Sequence, residues 1–283
     1  MSAVSYMRPE TLAEAIGWLQ GKPATIAAGC TDLFALTQRQ TLPGPILDIT
    51  AIPDLCGIIQ SEGCWQIGAA TSWSAIAKAS LPAAFDGLRQ AAREVGSIQI
   101  QTSGTIGGNL CNASPAADGV PPLLTLDAQV EIAGPDGSRR MPLDGFIKGP
   151  RRTALGPGEI LVAVHVPVEA TQGRSAFLKL GARASLVISI AMVAVRIVAE
   201  NGHIASAAIS VGACSPVAIL IPALETALVG CPVAEAPTIA AAFDFSGALS
   251  PIADVRADEG YRLHAAGELV SRAIATAIGS AMP

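Results

Sequence analysis

The sequence predicts an α+β protein, with small β/α units at the front and an antiparallel sheet with helices behind them. Three observations carry this expectation. Apolar runs in the first 50 or so residues switch repeatedly between strand and helix periods. Residues 175–180, 186–198 and 204–211 are strand-like, with an Asn201-Gly202 hairpin signal between the last two. The chain of 283 residues is 51% hydrophobic and only 14% charged, below the roughly 25% of an average soluble domain, so it can bury a large core.

In chain order, residues 11–20 place Leu12, Ala15, Ile16 and Leu19 on one helical face, with Thr11 as cap and Pro9 at the entry. Residues 24–28 form a short apolar strand running into Gly29-Cys30-Thr31-Asp32, a helix is expected over 33–38, and residues 45–49 form the next strand. A strand over 64–69 and helices over 72–79 and 88–95 follow. From residue 97 to 117 there is no charge, and Gly, Ser, Thr and Asn dominate, so the useful groups are backbone N–H donors and short polar side chains. A helix over 120–126, a strand over 129–133, a turn at Pro135-Asp136-Gly137 and a strand over 160–166 closed by Pro167 come next. Residues 170–174 read as a linker, and helices are expected over 219–229, 233–243 and 256–277.

A net charge of −5 argues against a nucleic-acid binder. Residues 204–224 carry no charge, but Ser206, Ser210, Gly212, Ser215, Pro216 and Pro222 read as strand, turn and helix start rather than as a membrane span. The first residues lack the pattern of a signal peptide, which leads to the expectation of a cytoplasmic chain with reduced thiols. None of the six cysteines, Cys30, Cys56, Cys64, Cys111, Cys214 and Cys231, forms a C-x-x-C pair, so no zinc or iron–sulfur spacing is present.

Two glycine-containing loops stand out, Ala28-Gly29-Cys30-Thr31-Asp32 and Gly104-Thr105-Ile106-Gly107-Gly108-Asn109. Successive N–H groups in such loops make an anion-binding concavity, to which the hydroxyls of Thr31, Ser103 and Thr105 add donors. Each loop alone is equally a tight turn, and neither carries G-x-G-x-x-G or a Walker pattern. Asp118, ending the charge-free stretch, reads either as an acceptor for a ligand or as a helix N-terminal carboxylate.

The run GTIGGNLCNASPAAD over residues 104–118 resembles the flavin-binding signature of the FAD subunits of molybdenum hydroxylases, the xanthine dehydrogenase and carbon monoxide dehydrogenase family. Residues 28–33 are similar to that family's first glycine loop, and residues 148–155, 159–161, 254–257 and 261–262 extend the likeness over almost the whole chain. The resemblance implies a two-lobed FAD-binding domain over 1–170, with lobes of about 1–55 and 56–170, and a small C-terminal α+β domain over 171–283. It implies that Gly29, Thr31, Asp32, Thr105, Gly107, Gly108 and Asn109 hold the pyrophosphate and adjoining parts. The neighbours Ala28, Cys30, Leu33, Ser103, Ile106 and Ser114 join them as candidate contacts. Asp118 would sit on the polar side of the nucleotide, Leu161 against the ring and Lys179 near its pyrimidine edge. FAD is expected to be non-covalent, because all three histidines lie at 165 or later, outside the motifs. The molybdenum cofactor and [2Fe–2S] clusters would belong to partners: a molybdopterin large subunit and an iron–sulfur small subunit, in an assembly that allows a dimer of heterotrimers. The flavin would pass electrons from those clusters to an external acceptor.

The sequence departs from the family pattern at Cys30, where a second glycine is usual, and at Leu186 and Val187, which replace acids after Lys179 and Arg183. It also lacks an arginine after Pro216. No side chain reads as a catalytic acid, base or nucleophile: His165 on its apolar strand reads as a structural histidine, and no hydrolase triad can be built. Arg139, Arg140, Lys148, Arg151 and Arg152 form a basic cluster, either a solvated loop or a docking edge. Two other readings remain at this stage, a free-standing flavoenzyme on the same nucleotide-binding fold and a scaffold subunit without cofactor.

Overall fold

The structure of the chain, a computed structural model, describes residues 5–20, 23–37, 42, 44–61, 63–184 and 186–279. Strands Tyr6–Met7, Thr25–Ala27 and Ile46–Asp48 form a small parallel sheet with the third strand in the middle. The Leu12–Leu19 helix packs on it, and Thr11 caps the helix by accepting from the Glu14 N–H at 3.2 Å. The helix expected over 33–38 is the single turn Leu33–Leu36, and residue 38 lies outside the described residues.

A five-stranded antiparallel sheet follows, in the order Ile58–Ser61, Cys64–Gly68, Ile160–Pro167, Gln129–Gly134, Gly137–Pro142. Helices Trp73–Lys78, Asp86–Glu94, Ile98–Ser103, Ile106–Asn112 and Val120–Thr125 belong to the same region, and its core holds Trp73, Phe85, Leu88, Leu110, Leu123, Val164 and Val166. The central strand Ile160–Pro167 serves two cores because its register shifts between Leu161 and Ala163. That bulge turns both Val162 and Ala163 towards the parallel sheet, where they join Leu47, Ile49 and Ile52, while Leu161 and Val164 face the helices. Bulges of this kind re-aim side chains, and this one lies beside the cavity described below.

Strands Arg174–Leu180, Ala191–Glu200, His203–Gly212 and Ile219–Leu220 make the second antiparallel sheet. Asn201 and Gly202 turn its central hairpin with φ of 51° and 79°, the two positive values that a type I′ turn requires. Helices Pro222–Leu228, Ala236–Ala241 and Glu259–Ala277 accompany it around a separate core that includes Val195, Ile209, Leu224, Ala266 and Ile274.

Several expected elements differ. The strand expected over 186–198 starts only at Ala191, since Leu186 has a φ of 54° and cannot extend. Residues 219–229 open as an edge strand, with Ile219 and Leu220 paired to Val211 and Ser210, before Pro222 starts the helix at its first turn. The last helix begins at Glu259 behind an Asp258 cap, and the glycine segment 104–109, read as a loop, is mostly the start of the Ile106–Asn112 helix. Across the 170–174 segment the chain runs through a Val168–Thr171 turn straight into a strand. Among the described residues no helix is long and apolar enough to cross a membrane, and residues 204–224 divide into strand, turn, strand and helix start.

Candidate cofactor site

The two glycine segments meet, and glycine is what lets them. A Cβ on Gly29 would lie 1.9 Å from the Ser103 carbonyl oxygen, so the backbone of the first segment rests directly on the end of the Ile98–Ser103 helix. Between the segments lies a cavity of about 460 Å³, inside the range of roughly 300–1,000 Å³ typical of small-molecule and cofactor sites.

One wall is the 28–33 segment. Cys30 has a φ of 57°, the left-handed conformation that the family's glycine would take without strain. This reversal exposes a run of main-chain donors: among the described residues no acceptor meets the N–H groups of Gly29, Cys30, Thr31 or Asp32. The facing wall is the start of the Ile106–Asn112 helix, and here the expectation of free donors is corrected. The Ile106 N–H donates to the Thr71 carbonyl at 3.0 Å and the Gly107 N–H to the Ala69 carbonyl at 2.8 Å. The Gly108 N–H donates to Oγ1 of Thr105, which caps the helix. These groups fasten the helix to the sheet and are not available to an anion. Asn109, also on this wall, holds its Oδ1 buried without a hydrogen-bond partner.

The remaining lining is mostly apolar, with Ile26, Ile49, Trp73, Val95, Ile100, Leu155, Ile160 and Leu161, and the amide of Asn112 is its polar exception. Sequence reasoning found Leu161 but missed most of the others, because they sit at strand ends and helix flanks in ordinary apolar runs. Among the described residues no His, Lys, Arg or Tyr is on the wall, and Asp32 is the charged residue there. Of the candidate residues, Ala28, Gly29, Cys30, Thr31, Asp32, Leu33, Thr105, Gly107, Gly108, Asn109 and Leu161 line the cavity. Ile106 is fully buried in the core, Ser103 contributes its carbonyl against Gly29, and the Ser114 hydroxyl accepts from the Ala116 N–H.

Asp118 and Lys179 do not line it. They pair with each other behind the wall: Lys179 Nζ donates to Asp118 Oδ2 at 2.8 Å and to the Glu94 carbonyl at 2.9 Å, and the Ser189 hydroxyl donates to Asp118 Oδ1 at 2.7 Å. Burial pushes the Asp118 carboxyl up, and the Lys179 ammonium and the Ser189 hydroxyl oppose that shift. The set is a buried strut from the second sheet to the residues flanking the wall, since Val95 follows Glu94 and Gly119 packs against Asn109.

His165 is buried at 2% exposure and hydrogen-bonded to Glu131, away from the cavity wall. In the basic cluster, Arg139 pairs with Glu159, Arg140 with Glu131, and Arg151 with the Asn112 side chain. Among the described residues no group of three or more His, Cys, Asp or Glu side chains could hold a metal ion.

The arrangement fits FAD. Four adjacent main-chain donors suit a diphosphate, the apolar walls suit a flat ring system, and the unpartnered Asn109 amide offers a further polar contact.

Comparison with known proteins agrees. Residues 2–169 match the family described as the FAD binding domain in molybdopterin dehydrogenase, and residues 176–277 match the CO dehydrogenase flavoprotein C-terminal domain. The chain is 32% identical over 286 aligned residues to the xanthine dehydrogenase FAD-binding subunit of Escherichia coli O157:H7, covering 98% of this chain and 97% of that one. It is 29% identical over 279 residues to the carbon monoxide dehydrogenase medium chain of Hydrogenophaga pseudoflava, covering 95% of each. Its fold matches reconstituted CO dehydrogenase from Oligotropha carboxidovorans with a TM-score of 0.87 at 28% identity, over 99% of both chains. A cavity of this chemistry, on this fold and with these relatives, identifies the chain as a member of the FAD-binding medium-subunit family of molybdenum hydroxylases, an oxidoreductase subunit of the xanthine and carbon monoxide dehydrogenase type.

Proposed function

We propose that this chain holds FAD non-covalently between residues 28–33 and 104–109. There it would link [2Fe–2S] clusters on an iron–sulfur small subunit to an external acceptor, in an assembly whose large subunit carries the molybdopterin cofactor. The observation that carries this reading is the run of four N–H groups from Gly29 to Asp32, without an acceptor among the described residues, on a mostly apolar cavity. When bound, FAD supplies a centre that can take electrons singly and release them in pairs. The chain's own work would be to bind, orient and exclude water: the 29–32 N–H groups would hold the diphosphate, Ile49, Ile160 and Leu161 would shield the ring, and the Asp118–Lys179 strut would fix the wall from behind.

Attachment without a covalent bond follows from the chemistry of the wall. It has no histidine, and its two thiols are poor nucleophiles. Burial raises the Cys30 thiol, which donates to the Ala28 carbonyl, and burial pushes the Cys111 thiol up to about 12. Cys30 lines the cavity without closing it, which favours a cofactor-bearing subunit over an empty scaffold. The domains are read as 1–170 and 171–283. A cytoplasmic setting, in which all six unpaired thiols stay reduced, suits the cysteine inventory.

The test is to express the chain with and without molybdopterin and iron–sulfur partners and to assay dye reduction by heterocycles and aldehydes. Turnover is expected only with the partners present. Substrate-dependent turnover by the isolated, flavin-loaded chain would overturn the subunit assignment.

A further inference from the structure

On the face of the five-stranded sheet away from the helical core, three neighbouring strands bring Cys64, His165 and Glu131 together. His165 lies directly across from Gln66 on one side and from Gln129 on the other, and Cys64 and Glu131 are two residues along from those partners, on the same face. His165 Nε2 is 2.6 Å from Glu131 Oε2, and Nδ1 is 3.8 Å from Cys64 Sγ. A carboxylate accepts only, so Nε2 must carry the hydrogen and Nδ1 must present its lone pair to the thiol. Burial lowers the imidazole's proton affinity and Arg140 on the next strand adds to this, while the Glu131 hydrogen bond and charge oppose it, so on balance the surroundings favour the neutral ring. The Ser61 hydroxyl lies 3.4 Å from Cys64 Sγ and supplies a donor to a developing thiolate. Cys64 is half-buried and His165 buried, so the thiol is the more accessible member of the pair. The set does not converge on a metal, because Glu131 bonds the ring nitrogen opposite the one that faces Cys64.

We propose that Cys64 is a thiol-modification site, activated by His165 with Glu131 as its positioning residue, and that it reacts with a low-molecular-weight disulfide. His165 Nδ1 takes the thiol proton while Cys64 Sγ attacks one sulfur of the disulfide. A new S–S bond forms to Cys64, the old one breaks, and the departing thiolate receives the proton from His165. Cys64 is oxidised, and half of the small disulfide leaves as a reduced thiol. The site is independent of the cofactor cavity and of the function proposed for it.

The experiment treats the purified full chain with oxidised glutathione at neutral pH and follows each cysteine by peptide mass mapping. Cys56 is the internal control, being more exposed than Cys64 and lacking a histidine contact. Cys64 is expected to form the mixed disulfide first, and His165→Gln to slow it by about tenfold or more, the lower end of general-base assistance. The Cys56 rate should not change. Glu131→Gln keeps a hydrogen bond to the ring but no longer fixes its tautomer, and should slow Cys64 by less, so it tests the idea even if the His165 variant folds poorly. Faster reaction at Cys56 than at Cys64 in the parent chain, or an unchanged Cys64 rate in both variants, would overturn the proposal.

Discussion

Gly29 and Cys30 are adjacent but answer to different constraints. Gly29 needs no unusual φ; it needs the absence of a Cβ, because the Ser103 carbonyl occupies that space at 1.9 Å. The obstacle is backbone, so Gly29→Ala should destabilise the fold by roughly 1–3 kcal/mol as an overpacked site, and it should also lower flavin content by prising the two segments apart. Urea unfolding and flavin-to-protein ratio measure the two effects. Cys30 has the opposite problem, a side chain on left-handed backbone costing roughly 1–2 kcal/mol. Glycine removes that strain but loses about 0.4–1 kcal/mol through the freer unfolded chain. Cys30→Gly is therefore expected to raise stability slightly and never to lower it by more than experimental error. The 28–33 segment was legible because its residue types are unusual together. Asp118 and Lys179 were legible as important but not as partners of each other, since 61 residues separate them and only the fold shows that they meet.

Two elements read well from sequence carry a cap or a turn signal: Thr11 before Leu12–Leu19 and Asn201-Gly202 between two strands. The glycines of 104–109 suggest a loop with special backbone. Gly107, however, is glycine because a Cβ there would lie 2.6 Å from the Ala69 carbonyl, which is a matter of packing between helix and sheet. Gly107→Val would thus disturb the fold as well as the cavity, and Gly108 is the cleaner probe, since its Cβ would meet only the Thr105 hydroxyl. The turn before the last helix carries its own prediction. The Arg256 N–H, with the Arg256 and Arg262 guanidiniums, holds the Asp254 carboxyl down to about 2. A folded-state value below the unfolded one of roughly 3.9 means that Asp254 stabilises the protein above that unfolded value and that this is lost as the pH falls through about 2. The stability difference between the parent and Asp254→Asn should be constant from neutral pH to about 5 and shrink below about 4. A difference that grows as the pH falls would contradict the arrangement.

Three cores are joined into one molecule through the bulged strand Ile160–Pro167 and, towards the second sheet, through the junction where Ala91 packs with Phe177, Met192 and Ala194 and the bond from Arg196 to the Thr125 carbonyl. At that junction Ser175 Oγ accepts from the Gly87 N–H at 2.8 Å, and Gln90 Oε1 accepts from the Phe177 N–H at 2.7 Å. The Lys179–Asp118 pair spans the same divide with side chains only 5% and 10% exposed. Lys179→Met should cost roughly 3–5 kcal/mol by leaving a buried carboxylate unpaired, and Asp118→Asn in the same chain should recover much of it. Denaturant unfolding of the two variants checks this, and equal stability of Lys179→Met and the parent would show that the strut bears nothing. Whether the cavity holds FAD as its walls suggest is decided by the visible spectrum of the purified chain before and after acid precipitation. Bands near ~370 and ~450 nm from an oxidised flavin, with the yellow colour passing wholly into the supernatant on acidification, are the predicted result. A colourless chain that takes up no added FAD, or colour that stays with the precipitate, would contradict it.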